Sequence, residues 1–175
     1  MVLGLNGADD HFKKGLKFFE QGEFEKALKE FDMAIKLNPK NPTYHFYKGL
    51  TLLQLSRYGE ALNSIQKAIE LDPNNPEYHY YKAWGFFGLG LYEDALKEFD
   101  KAIELDDDNP QYYYGKAEAL YLLDQYKEAF SYVQKAIELK ADNPDYHNLK
   151  AELFSMAKRY EDAIKEFDKA IELDP

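Results

Sequence analysis

The residues with the clearest potential for chemistry are histidines that recur at a fixed interval. His11, His45 and His79 stand 34 residues apart, and imidazole is a common zinc ligand. Equivalent positions on stacked helices lie about 8–10 Å apart, whereas zinc holds nitrogen ligands at about 2.1 Å. We therefore expect these histidines to pack between helices with hydrogen-bonded tips, and we predict no metal site and no cofactor.

No other pattern supports catalysis. The acidic run at 106–108 lacks the glycine and the distant glutamate of a calcium-binding loop. The segment 88–90, Gly-Leu-Gly, lacks the Gly-Lys-Ser/Thr of a phosphate-binding loop. Cysteine is absent from the chain, which excludes thiol nucleophiles and thiolate metal sites. No serine stands with a histidine and an acid in an arrangement typical of nucleophilic enzymes. The sequence therefore predicts a protein that is not an enzyme.

The charge of the chain narrows the class of partners. Its 175 residues include 22 Lys+Arg and 32 Asp+Glu, which gives a formal net charge of −10. Proteins bind nucleic acids mainly through cations that neutralise the phosphates, so an acidic chain is poorly suited to bind them. The sequence has no apolar run long enough to span a membrane, and residues 1–7 do not resemble a signal peptide. We expect a cytoplasmic protein that binds neither nucleic acid nor membranes.

A period of 34 residues organises almost the whole chain. Asn-Pro pairs keep this interval at 41–42, 75–76, 109–110 and 143–144. The predicted units are 8–41, 42–75, 76–109, 110–143 and a shorter last unit, 144–175, with residues 1–7 outside the pattern. Each unit reads as two amphipathic helices, the first capped by Asn and opened by Pro. Helices of about 14 residues are marginal alone, so the copies must stack and bury their apolar faces.

The repeating unit resembles the tetratricopeptide repeat. A small residue in the first helix is followed three positions later by a large apolar one, as at Gly15 and Phe18, and two alanines recur in every second helix. These alanines are Ala27, Ala61, Ala95, Ala129 and Ala163, and then Ala34, Ala68, Ala102, Ala136 and Ala170. The resemblance covers residues 8–175 and implies an all-α fold, a right-handed α-α superhelix (solenoid) of five tandem helix-turn-helix units.

One departure from the family pattern concerns a lysine in the first helix. The family usually places leucine there, but this chain has Lys14, Lys48, Lys82, Lys116 and Lys150. We expect these side chains to lay their methylene stems over the packed face and to keep the ammonium groups in water.

The resemblance implies that the first helices line a concave groove that binds a peptide or protein segment. The predicted groove residues are Phe12, Leu16, Phe46, Tyr47, Leu50, Tyr80, Tyr81, Trp84, Tyr114, Glu118 and Glu152. A further column holds Phe19, Leu53, Phe87, Tyr121 and Ser155. One subclass of the family grips carboxylates with Lys, Asn and Arg at such positions, which this chain lacks. We instead expect an apolar ligand whose basic flank lies toward Glu118 and Glu152; ordinary repeat packing is the alternative for each residue.

The end of the sequence predicts a second contact surface. Residues 163–173 nearly repeat 95–105 without the polar changes expected of a terminal helix, and we predict no C-terminal capping helix. Ile164, Phe167 and Ile171 are therefore predicted to mediate self-association. The predicted function is a non-catalytic protein–protein interaction scaffold. The alternatives are a self-assembling structural module, a regulatory fragment of a larger protein and, least favoured, a small-ligand binder, because an open groove provides no closed pocket.

Overall fold

Ten α-helices and no strand make up residues 3–174, the part of the chain that this computed structural model describes. The helices are α1 (Leu3–Glu20), α2 (Phe24–Leu37), α3 (Pro42–Gln54), α4 (Tyr58–Leu71), α5 (Pro76–Gly88), α6 (Tyr92–Leu105), α7 (Pro110–Leu122), α8 (Tyr126–Leu139), α9 (Pro144–Met156) and α10 (Tyr160–Leu173). Helix α1 begins at Leu3, so it starts ahead of the repeat pattern. Within this range no helix has the length and hydrophobicity needed to cross a membrane.

The chain divides into two units, Met1–Leu91 (unit 1) and Tyr92–Pro175 (unit 2). In unit 1, α1 pairs with α2 and α3 pairs with α4, while α2 packs on α3 and α4 packs on α5. In unit 2, α7 pairs with α8 and α9 pairs with α10, while α6 packs on α7 and α8 packs on α9. Contacts of α3 with α5 and of α7 with α9 place the first helices of successive repeats side by side within each unit.

The Asn-Pro pairs start helices as the sequence predicts. The Asn41 side chain accepts a hydrogen bond of 3.0 Å from the Thr43 amide, and Pro42 occupies the first turn. Asn75, Asn109 and Asn143 cap α5, α7 and α9 in the same way, at 2.9–3.0 Å. Each cap satisfies an amide that the first helical turn leaves unpaired, so local sequence fixes where these helices begin.

A residue with left-handed backbone conformation follows the first helix of every repeat. These residues are Gly22, Ser56, Gly90, Asp124 and Lys158. The next amide then bonds back into the helix, as from Glu23 to the Phe18 carbonyl and from Arg57 to the Leu52 carbonyl, both at 2.9 Å. Only glycine adopts this conformation without steric cost. The packing of the two flanking helices, rather than the residue type, therefore sets the turn.

The alanines of the second helices lie at the closest helix contacts. All ten of them are at most 4% exposed. Between the two alanines of each helix lies a larger apolar residue, and Phe31, Ile65, Phe99 and Val133 are fully buried there. Their counterpart Phe167 is 36% exposed. The predicted apolar stripe is thus covered in α2, α4, α6 and α8 and partly open in α10.

Large residues of the second helices face glycines of the first helices. A Cβ atom added at Gly115 would lie 2.6 Å from Cε1 of the Phe99 ring. At Gly15 the added atom would lie 2.5 Å from Cε1 of Phe31. Large residues that face small ones in this way fill the interior without voids.

Several lysines of the first helices differ from the expectation, most clearly in unit 2. Lys116 is only 9% exposed, and its ammonium group donates to Asp100 at 2.5 Å and to the Tyr132 hydroxyl at 2.7 Å. Lys150 forms an ion pair of 2.7 Å with Glu166. The ammonium groups are paired with acids of the second helices instead of lying in open water, because a buried cation needs a partner to offset lost hydration.

The close contact between Gly115 and Phe99 predicts that alanine at position 115 lowers the stability of the chain, whereas alanine at an uncrowded glycine does not. Gly115→Ala should destabilise the chain by about 1–3 kcal/mol, because the fully buried Phe99 ring has no room to move. Gly59→Ala is the matched control, since no atom lies within 4 Å of the added Cβ, and alanine in a helix should stabilise by up to about 1 kcal/mol. The midpoint of thermal unfolding, followed by circular dichroism, measures both. Equal midpoints for the two variants would contradict the close packing.

Candidate functional site

The first helices of unit 1 present a continuous set of aromatic and aliphatic side chains, which we call the aromatic face. Its members are Phe12, Leu16, Phe19, Tyr47, Leu50, Leu53, Tyr80, Tyr81, Trp84 and Phe87, all of them half-buried. They come from α1, α3 and α5, which lie side by side. Residues four apart on a helix lie on the same side of it. Where such helices lie side by side, the equivalent residues of neighbouring repeats form columns across the surface.

Ring contacts tie the aromatic face together. The centroid of Phe12 lies 5.3 Å from that of Tyr47, and Phe19 lies 6.3 Å from the same ring, both edge-on. On α5, Trp84 lies 6.1 Å from Tyr80 and 4.8 Å from Phe87. Such tilted and edge-on pairs are the preferred geometry of aromatic rings, so they hold the rings in defined orientations at the surface.

Phe46 does not belong to this surface. The sequence predicts Phe46 as a groove residue, but this prediction is wrong because only 4% of the side chain is exposed. Its ring packs 4.7 Å from Tyr78 and 5.5 Å from Tyr81, in a cluster that includes Ile65. The ring therefore supports Tyr81 from the interior. A column of the repeat identifies candidate positions, but the exposure of each one depends on the residues that neighbouring helices place over it.

The acidic residues predicted for the site lie together in unit 2. Glu118 on α7 is half-buried, and Glu152 on α9 is exposed. Burial raises the pKa of Glu118 to about 7; the negative charges of Asp145 and Glu152 add to the rise, and hydrogen bonding with Tyr114 offsets part of it. Burial, and then Glu118 itself, raises the pKa of Tyr114. We call Tyr114, Glu118, Asp145 and Glu152 the acidic cluster.

Asp145 is the member of the acidic cluster that the sequence analysis missed. It stands in the first turn of α9, where its amide bonds to the capping side chain of Asn143. Its position there is typical of a helix N-terminus, which favours negative charge, so the sequence alone gives it a local role. Only the contact between α7 and α9 brings its charge near Glu118.

Two of the recurring histidines contact the turns between repeats. Nε2 of His45 lies 2.8 Å from the Pro39 carbonyl oxygen, and Nε2 of His147 lies 2.9 Å from that of Ala141, six residues earlier in both cases. Nδ1 of His147 also lies 2.7 Å from Glu166. Their tips are thus hydrogen-bonded as predicted. Among residues 3–174, no group of three or more His, Cys, Asp or Glu side chains is placed to hold a metal ion.

The residues predicted to mediate self-association lie on the exposed side of α10. Ile164 is 59% exposed and Ile171 is 62% exposed. Tyr160, one turn before Ile164, is exposed as well. With Phe167 they form a stripe along the helix, which we call the α10 stripe. Within residues 3–174 no other helix covers this stripe.

Two family models match the chain in adjacent regions. The tetratricopeptide repeat model matches residues 12–76, and the model described as anaphase-promoting complex, cyclosome, subunit 3 matches residues 88–170. The ten packed helices of residues 3–174 agree with five repeats of this type. The chain belongs to the tetratricopeptide repeat family. Its fold is therefore the all-α solenoid of helix pairs that the sequence predicts.

Solved structures of tetratricopeptide repeat type share the fold at low sequence identity. MamA from Desulfovibrio magneticus, as a fragment from residue 41, is 21% identical with a TM-score of 0.87, covering 96% of this chain and 95% of that one. A thermophilic tetratricopeptide repeat protein from Thermus thermophilus is 21% identical with a TM-score of 0.79, covering 96% and 92%. YrrB, described as having an unusual peptide-binding site, is 21% identical with a TM-score of 0.74, covering 94% and 85%. No curated protein sequence matches the chain.

Membership of the tetratricopeptide repeat family supports a general class of function. Proteins of this family bind other proteins or peptides, and their repeats form a non-catalytic interaction fold. The fold thus supports a role in protein–protein interaction.

The raised pKa of Glu118 predicts a pH-dependent stability. The folded chain keeps this proton up to about pH 7, whereas the ordinary pKa is 4.5. Its stabilising contribution is therefore complete below about pH 4.5 and is lost as the pH rises toward 7. Glu118→Gln mimics the protonated acid, so the variant should unfold at a higher temperature than the wild type at pH 8 and at nearly the same temperature at pH 5.

Calorimetry at the two pH values measures this difference, and about 1 kcal/mol corresponds to about 2–4 °C for a chain of this size. Met33→Ala, which removes no ionisable group from the exposed side of α2, is the control and should shift the midpoint equally at the two pH values. An equal shift of both variants at pH 5 and pH 8 would contradict the perturbed acid.

Proposed function

We propose that the aromatic face of unit 1 binds an apolar segment of another polypeptide. The observation that carries the proposal is the concentration of aromatic rings from three adjacent helices on one surface, held by ring contacts of 4.8–6.3 Å. Large aromatic clusters at a protein surface commonly mark interaction sites. Tyrosine and tryptophan also dominate the binding energy of known interfaces.

The ligand class follows from the side chains of the aromatic face. The face consists of Phe, Tyr, Trp and Leu and contains no Lys or Arg. A carboxylate would have no cation to pair with there, whereas an apolar side chain would gain about 25 cal/mol for each Å² removed from water. The pKa of Tyr81 is raised by burial, which agrees with a surface of low polarity. Leucine-rich or phenylalanine-rich segments are therefore the favoured ligands.

The acidic cluster of unit 2 is proposed to bind a basic side chain of the partner. Burial is the main cause of the raised pKa of Glu118, and the negative charges of Asp145 and Glu152 repel its ionised form and add to the rise. A lysine or arginine placed among them would relieve this repulsion and favour the ionised form of Glu118. We treat this contact as separate from the aromatic face and test it with its own variant.

This function makes the chain a scaffold that holds partner proteins, and we predict that it acts in the cytoplasm. Self-assembly through Ile164, Phe167 and Ile171, and a regulatory role within a larger protein, stay predictions. Sedimentation velocity over a wide concentration range tests self-assembly, because a constant monomer mass would exclude it. Fractionation of the native cells tests the location.

Fluorescence of the single tryptophan, Trp84, tests binding at the aromatic face. The probe is a peptide of twelve residues with two Leu-Phe pairs followed by two lysines. We expect the emission of Trp84 to shift to shorter wavelength on saturation, because the ligand removes water from the ring. Tyr80→Ala and Tyr47→Ala should each weaken binding by about tenfold, a typical effect at an interface centre.

Three controls make this test specific. Met33→Ala changes an exposed residue of α2 and should leave the affinity unchanged. Glu118→Gln should lower the affinity for the lysine-containing peptide. It should not change the affinity for a peptide with glutamines in place of the lysines. Tighter binding of an acidic peptide, or equal affinity for the Tyr80→Ala and Met33→Ala variants, would contradict the proposed function.

A further inference from the structure

Helices α10 and α6 have almost the same sequence. Over 14 residues they differ only where α6 has Leu96 and α10 has Ile164. The residues of the α10 stripe therefore correspond to residues of α6 whose surroundings the structure shows. Because equal side chains on equal helices favour equal partners, the covering of α6 indicates what the α10 stripe would bind.

Helix α7 covers this side of α6 within unit 2. Gly115 lies against the Phe99 ring, which is fully buried. The next residue, Lys116, donates its ammonium group to Asp100 at 2.5 Å. In α7, the residue before the lysine thus packs against Phe99, and the lysine itself pairs with Asp100, the residue that follows Phe99.

The same arrangement occurs once more, in unit 1. Helix α3 covers α2, where the Tyr47 ring lies 6.0 Å from Phe31. Lys48 then forms an ion pair of 2.7 Å with Asp32. Both covering helices also carry a buried tyrosine four residues before the lysine, Tyr44 in α3 and Tyr112 in α7.

Helix α10 has the same phenylalanine and aspartate without the covering helix. Phe167 is 36% exposed where Phe99 is fully buried. Asp168 is exposed and forms no ion pair with any residue in the described range 3–174. Glu161, Lys165 and Glu172 are exposed beside the stripe. The surface is therefore apolar along its middle and charged along its edge, where Asp168 lies.

We propose that the α10 stripe binds a helix of another polypeptide that carries the pattern tyrosine, three residues, lysine. The residue before the lysine packs on Phe167, and the lysine pairs with Asp168. This inference concerns a surface outside the aromatic face and the acidic cluster, so it does not depend on the proposed function. The occupant is defined by the two covering helices, which supply this chemistry to Phe31–Asp32 and Phe99–Asp100.

A second copy of the chain fits the surface less well than a foreign helix. Helices α3, α5, α7 and α9 carry the tyrosine–lysine pattern, but they are already packed within their units. Helix α1 has Lys14 but places Asp10 at the tyrosine position. Helix α10 has Tyr160 but Ile164 four residues later, so a second copy of α10 does not supply the tyrosine–lysine pattern either.

A peptide that copies residues 109–123, including α7, is the probe for this site. It is stapled on the side that faces away from α6, because a free helix of this length is marginal in water. Titration of the full chain with the labelled peptide should give saturable 1:1 binding by fluorescence anisotropy. Ile164→Glu should weaken binding at least about tenfold, since it places a charge in the apolar stripe.

The proposed ion pair is tested by exchanging the charges. Asp168→Lys should lower the affinity for the peptide by about fivefold at low salt. Replacing the peptide's lysine by glutamate should lower its affinity for the wild-type chain by a similar factor. Combining the two changes should restore most of the affinity. Recovery in the combined pair identifies a direct contact, which a general loss of stability would not produce.

Matched variants separate binding from folding and from the aromatic face. Leu89→Glu also charges an exposed apolar residue and should leave the peptide affinity unchanged, as should Tyr80→Ala. All variants should keep the thermal midpoint of the wild type within a few degrees. Absence of binding, or equal affinity of the Ile164→Glu and wild-type chains, would overturn the proposal. So would a concentration-dependent dimer that Ile164→Glu abolishes, because the occupant would then be a second copy.

Discussion

The structure depends on the burial of short amphipathic helices against one another. Apart from α1, no described helix exceeds 14 residues, and helices of this length are marginal in water. The recurring alanines, at most 4% exposed, let each second helix approach its neighbours closely, and the larger residue between them fills the remaining space. The aromatic face, the acidic cluster and the α10 stripe consist of side chains that this packing leaves exposed or half-buried.

Most of the fold follows from the sequence because its determinants are local and periodic. The 34-residue interval, the Asn-Pro caps and the alanine positions predict the helix starts and the buried side of each second helix, and the structure agrees. The turns between the helices of a repeat are less predictable, since Ser56 and Lys158 adopt a left-handed conformation that their residue types do not favour. There the tertiary packing overrides local preference.

The candidate sites are less predictable because exposure depends on contacts between repeats. Phe46 and Tyr47 are adjacent in sequence, yet only Tyr47 reaches the surface. Lys116 lies in an ion pair rather than in open water, because the packing of α7 on α6 places Asp100 within its reach. Asp145 acts on Glu118 only through the contact of two helices. Pattern analysis finds the columns of a repeat, whereas geometry decides which side chains meet.

The contacts between helices within each unit also determine how the chain would respond to mechanical load. In unit 1 and in unit 2, each helix pair contacts only its immediate neighbours along the chain, as in other repeat proteins. A force that pulls on one end should therefore separate the helix interfaces one after another, because in the described range 3–174 no contact joins distant segments within a unit. Under tension the chain should extend in small successive steps and recoil from whichever pairs stay intact, in the manner of a molecular spring.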